Sequence, residues 1–169
     1  PCELFPLLSS KGTYILLGLG AKPTFGSVFK VCQQIAAKKP RVFTKGMSLN
    51  WLCGNEHPDA VVLTEGIING LILGAYHQGN YKTDQPKEHS LLMPDARFGV
   101  YIAEEQLEAA KEAVKRAQII GQAQSEIMAL VNAPANYKHP HDIAKWATSS
   151  AAKYGYRAEV WGKERITKE

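Results

Sequence analysis

Apolar and polar positions follow one another along this chain in a few recognisable periods. Thr13-Tyr-Ile-Leu-Leu-Gly-Leu-Gly20 is a continuous apolar run closed by glycines. It predicts a strand buried on both faces, as in a parallel or mixed sheet. Gly18 and Gly20 allow a sharp turn after it. Past Pro23-Thr24, the residues Val28, Val31, Cys32, Ile35 and Ala36 share one face at helical spacing. Lys38-Lys39-Pro40 ends that helix, and Arg41-Val-Phe-Thr44 predicts a second short strand. The order is β–α–β.

Asn55-Glu-His-Pro-Asp59 marks the next helix start, with Pro58 and Asp59 suited to a first turn. The helix is expected from about Pro58 to His77 and carries Gly66, Gly70 and Gly74 at intervals of four. An interior glycine costs a helix about 0.8–1 kcal/mol relative to alanine. A stripe of them implies that something packs unusually close, either a sheet or a ligand passing over the helix. Gln78-Gly79-Asn80 breaks the helix, and Tyr81 to Lys87 is a polar loop. Ser90-Leu-Leu-Met93 predicts a short strand stopped by Pro94-Asp95, and Phe98 to Ile102 an extended segment or further strand.

From Glu104 to about Val131 the three-four spacing is unbroken, through Leu107, Ala110, Val114, Ala117, Ile120, Ala123, Ile127 and Leu130. This predicts one long helix of roughly 40 Å, with Glu108–Lys111 and Glu112–Arg116 as exposed pairs and Gly121 as the place for a bend. A helix of that length after an α/β unit suits a bridge to another domain. Pro134 stops it. His139-Pro140-His-Asp142 starts another helix, carrying Ile143, Trp146, Ala147 and Ala151 and ended by Gly155. Tyr156 to Trp161 alternates like a strand. A lone strand cannot satisfy its own backbone groups, so the expectation is a segment of a longer protein.

Composition adds exclusions. The 169 residues are 45% hydrophobic and 21% charged, with a net charge of +4, which excludes a collagen-like, coiled-coil or disordered chain. Residues 1–84 carry +3 and residues 85–169 carry +1, with no run of five or six like charges. That pattern argues against nucleic acid as the partner. Cys2, Cys32 and Cys53 are odd in number and lack C-x-x-C spacing, so reduced thiols are expected rather than disulfides or a zinc knuckle. No apolar run reaches the roughly 18 residues of a membrane span. The first residues lack the pattern of a signal peptide and an initiator Met.

Candidate chemistry is sparse. Gly18-Leu-Gly20 after a strand invites a dinucleotide reading, but Pro23 stands where the third glycine belongs. No acidic residue lies between Glu3 and Glu56. His139 and His141 flank a proline without a third ligand at suitable spacing, so exposed first-turn histidines are expected rather than a metal site. His57, His77 and His89 are isolated and expected at the surface. Glu104 and Glu105 fit the start of the long helix better than an acid–base pair. There is no G-x-S-x-G, H-E-x-x-H or phosphate-cradling loop.

Several segments nonetheless resemble one family. Glu65-Gly-Ile-Ile-Asn-Gly-Leu-Ile-Leu-Gly-Ala-Tyr76 with Tyr81-Lys82 looks like the "E-G-x-x-L-G-x-Y-x-F-x-x-Y-K" segment of the leucyl aminopeptidases, the M17-type cytosol aminopeptidases. Leu130-Val-Asn-Ala-Pro-Ala-Asn136 with His139-Pro140 resembles their "L-V-N-x-P-x-N-x-x-T-P", with His139 in place of Thr. Tyr14 to Lys22 resembles their "v-l-l-v-G-L-G-K" strand.

The resemblance implies an α/β fold, with a macro-domain-like mixed sheet flanked by helices over 1–103. It implies an interdomain helix over 104–131 and the beginning of the catalytic domain over 132–169. The chain would then be the N-terminal, non-catalytic portion of a cytoplasmic enzyme that removes N-terminal residues from peptides. Its role would lie in assembly or access control within a homo-hexamer. In that family two divalent metals, Zn or Mn, activate a water. The motifs resembling "V-G-K-G-I-T-F-D-S-G-G" and "N-T-D-A-E-G-R-L" that hold them are not in these residues. No catalytic or metal-ligating residue is therefore assigned, and no substrate-binding residue is identified. The other reading is a macro-like module binding a small ligand or nucleic acid near Gly18–Thr24.

Overall fold

A computed structural model of the chain describes residues 4–9, 12–19, 21–38, 46–49, 59–77, 81, 89–93 and 97–168. They fall into two compact units, Pro1–Met128 and Ala129–Glu169.

The first unit opens with strands β1 (Leu4–Ser9) and β2 (Gly12–Leu17), paired antiparallel from Leu4↔Leu17 to Ser9↔Gly12. Pro6 lies within β1 and has no N–H to donate to the ladder. Helix α1 (Phe25–Ala37) follows. Thr24 caps it: its hydroxyl accepts from the Ser27 N–H at 3.2 Å, and the Ser27 hydroxyl accepts from the Thr24 N–H at 2.9 Å. Strand β3 (Gly46–Leu49) and strand β4 (Arg97–Val100) pair in parallel, Gly46↔Arg97 to Leu49↔Val100. Parallel neighbours need a crossover, and helix α2 (Ala60–Ala75) lies in the chain between them. The described residues are mostly helical with few strands, which form one antiparallel and one parallel pair. Where the sequence implies one mixed sheet, the described residues form two separate two-stranded sheets.

The core is built where α1 meets α2. Val28, Cys32 and Ala36 pack with Leu63, Ile67 and Leu71, and Leu19, Leu91 and Phe98 lean on that cluster. Val31 and Ile35 form a second cluster with Leu17, Leu19 and Leu91. The amphipathic face read for α1 is thus the buried one. The glycine stripe is explained by a helix rather than a sheet. A Cβ built on Gly66 would lie 3.0 Å from the Phe25 carbonyl oxygen, one on Gly70 2.4 Å from that of Phe29, and one on Gly74 2.2 Å from that of Gln33. The contacts advance together along both helices, so α1 and α2 run parallel.

Other expectations are corrected. The strand expected to Gly20 ends at Leu17 and is not buried on both faces, since Leu16 is 39% exposed. The strand expected at 41–44 lies outside the described residues, as do most of the turn at 55–59, the break at 78–80 and most of the loop at 81–87. Ser90–Leu92 is a 3-10 turn and not a strand. His89 causes this, because its Nδ1 accepts the Leu91 N–H at 3.1 Å and its carbonyl accepts the Leu92 N–H at 2.8 Å.

Helix α3 runs unbroken from Leu107 to Asn132, after a 3-10 turn at Glu104–Gln106. Its buried positions are Ala110, Ala113, Ala117 and Gly121. Of the large members of the predicted stripe, Val114 and Leu130 are half-buried, while Ile120 and Ile127 are 39% and 46% exposed. Gly121 marks a close approach, since a Cβ there would meet Ile72 Cγ2 at 2.9 Å. Glu112 pairs with Lys115 and not Arg116, while Arg116 crosses to Glu65 on α2, donating from Nη2 at 2.7 Å and Nε at 3.0 Å to one oxygen.

The second unit holds a 3-10 turn (Ala135–Tyr137), helix α4 (Pro140–Tyr154) and helix α5 (Lys163–Lys168). Pro140 occupies the first turn of α4, and Gly155, at φ +76°, closes it in the left-handed conformation that glycine tolerates.

Two alanine substitutions separate close packing from helix propensity. Gly74→Ala should destabilise the protein by about 1–3 kcal/mol, because the new methyl meets backbone that cannot swing aside. Gly26→Ala, inside α1 with nothing within 4 Å of its Cβ, should stabilise it by about 0.4–1 kcal/mol. Urea denaturation followed by circular dichroism reads both, and an unchanged Gly74→Ala midpoint would exclude the close approach.

Candidate functional site

Four places in the chain could carry chemistry, and local bonding accounts for each. The turn after β2 leads into the N-terminus of α1, where a dinucleotide phosphate would sit. There Thr24 and Ser27 satisfy each other's backbone N–H groups. No carboxylate stands in the first turn of α1, and Lys22 beside it is exposed. Gly20 lies outside the described residues.

Near the other end of α1 sits the histidine that sequence reasoning misplaces. His89 is 4% exposed, not a surface residue. Its Nε2 donates to the Ala36 carbonyl at 3.0 Å while Nδ1 accepts from the Leu91 N–H. Those two bonds fix the neutral tautomer with the proton on Nε2. The residue clamps the 3-10 turn to the last turn of α1, a structural use of both ring nitrogens. Only the apolar run that follows, Leu91-Leu92-Met93, hints at its burial in the sequence.

One turn earlier on α1, Cys32 is buried against Leu63, Ile67 and Leu71. Burial pushes its thiol up to about 12 by disfavouring the thiolate, so Cys32 is an inert packing group. Cys2 and Cys53 lie outside the described residues, as does His57. His77 is half-buried just past the end of α2.

In the second unit His139 and His141 stack face to face, with centroids 5.6 Å apart and planes inclined by 12°. The Asp142 carboxylate is committed to this same turn. Its Oδ2 accepts the His139 N–H at 3.0 Å, and its Oδ1 lies 3.1 Å from His141 Nε2. The departure from Thr to His at 139 therefore leaves the helix start capped through Asp142. Both histidines are exposed and Asp142 is half-buried, and among the described residues no three His, Cys, Asp or Glu side chains gather to hold a metal. Glu104 and Glu105 open α3 through its 3-10 turn, as expected.

The segment Tyr156–Trp161 is not a strand. Arg165 on α5 folds back, its guanidinium 4.2 Å from the Trp161 ring centre and bonded to the Glu159 carboxylate. The chain thus closes on itself locally instead of extending. Tyr156, Val160 and Trp161 remain 49%, 52% and 41% exposed. No residue of α4 or α5 is buried.

No protein-family model matches the chain. Curated relatives do. The chain is 30% identical over 154 residues to a probable cytosol aminopeptidase of Thermosynechococcus vestitus, spanning 89% of this chain and 29% of that protein. It is 28% identical over 163 residues to one of Syntrophotalea carbinolica, spanning 92% and 31%. Against one of Clostridium perfringens it is 30% identical over 102 residues, spanning 60% and 20%. The chain thus covers between a fifth and a third of the length of these relatives. Its likeness to the leucyl aminopeptidase family extends over most of its residues and not only over the motifs. Among solved structures, the bottromycin maturation enzyme BotP in complex with Mn superposes with a TM-score of 0.73 at 18% identity, covering 99% of this chain and 34% of that one. The fold of this chain therefore recurs within that protein.

Two measurements test the buried groups. His89→Leu should cost about 1–3 kcal/mol, since it leaves the Leu91 N–H without its acceptor, and urea denaturation checks this. For Cys32 the folded pKa lies above the unfolded one, so its stabilising contribution is complete below pH 9.0 and is lost as pH rises toward about 12. Over that window wild type should lose up to about 1.4 kcal/mol more per pH unit than Cys32→Ala. Parallel slopes would show that the thiolate is tolerated.

Proposed function

We propose that this chain is the N-terminal, non-catalytic portion of a two-metal leucyl aminopeptidase, an enzyme that releases N-terminal residues from peptides in the cytoplasm. The observation that carries the reading is the sequence likeness to cytosol aminopeptidases over about nine-tenths of the chain, at less than a third of their length. On this reading residues 1–103 are a macro-like α/β domain, 104–131 the interdomain helix and 132–169 the beginning of the catalytic domain. The unbroken α3 supports the middle assignment. The exposed aromatic and apolar side chains of the second unit support the last, because a segment of a larger domain leaves such surface for its neighbours to cover.

The two divalent metals, Zn or Mn, belong to the remainder of that enzyme. The described residues do not fit such a centre: carboxylates and histidines do not converge, and Asp142 is already bonded within its own turn. The contribution of this chain is then to assembly, in a homo-hexamer, and to control of access to the catalytic domain. No helix among the described residues is long and apolar enough to cross a membrane.

The chain by itself should not hydrolyse Leu-p-nitroanilide with Mn²⁺ or Zn²⁺ added. Turnover above a metal-only blank, abolished by a chelator and retained through further purification, would overturn the reading. Assembly is tested by light scattering on the chain and on a version ending at Asn136. Shortening should reduce self-association, since it removes exposed Tyr154, Tyr156, Val160 and Trp161. An identical oligomer in both would show that these residues do not drive association.

A further inference from the structure

We draw no further inference here: the strongest candidate, the apolar patch that Phe5, Leu7 and Leu16 form on the β1–β2 hairpin, carries nothing because nothing in the structure shows what covers it.

Discussion

The backbone of α1 and the backbone of α2 approach so closely at Gly70 and Gly74 that no side chain fits between them, and the first unit is organised around that approach. The three glycines weaken α2 as an isolated helix by roughly 0.8–1 kcal/mol each. Against this stands the burial of Val28, Leu63, Ile67 and Leu71 in the same contact, worth about 1.5–3 kcal/mol for each large side chain. Packing outweighs propensity, and the helix exists because of its neighbour. The close approach also places the Ala36 carbonyl and the Cys32 side chain in the buried interior that His89 and the thiol share.

The same rule operates on α3. Its packed face is made of Ala110, Ala113, Ala117 and Gly121, and Gly121 admits Ile72 from α2. Small residues mark the points where helix backbones come closest in this unit. The Arg116–Glu65 ion pair crosses between α2 and α3 beside that contact, with Arg116 56% exposed. An ion pair so open to solvent adds register more than stability.

How far the sequence could be read follows from this. The buried face of α1, the extent of α3 and the capped start and glycine end of α4 were legible because each is a local signal: period, proline, glycine. The partner of the glycine stripe was not, since spacing announces a close approach without naming what approaches. The packed face of α3 was legible only in part: Ala110 and Ala117 of the expected stripe are buried, but Ile120 and Ile127 are exposed, because apolar periodicity favours isoleucine over alanine while close packing selects the reverse. His89 escaped because its burial depends on a carbonyl 53 residues away. The strand expected at Tyr156–Trp161 failed for a related reason. Alternation permits a strand, but only a neighbour makes one, and Arg165 offered Trp161 and Glu159 a nearer contact. At the candidate site, the motifs marked a likeness to the cytosol aminopeptidases that spans less than a third of their length, and the described side chains add no chemistry to it.

The parallel pairing of β3 with β4 has a kinetic consequence. Gly46 meets Arg97 across a loop of roughly fifty residues, and closing a loop costs entropy that grows with its length. The β1–β2 hairpin joins Ser9 to Gly12 and faces almost none of that cost. Docking α2 on α1 shortens the effective loop before the two strands must find each other. A bulky residue at the glycine contact would then delay formation of the parallel pair as well as weaken the native core.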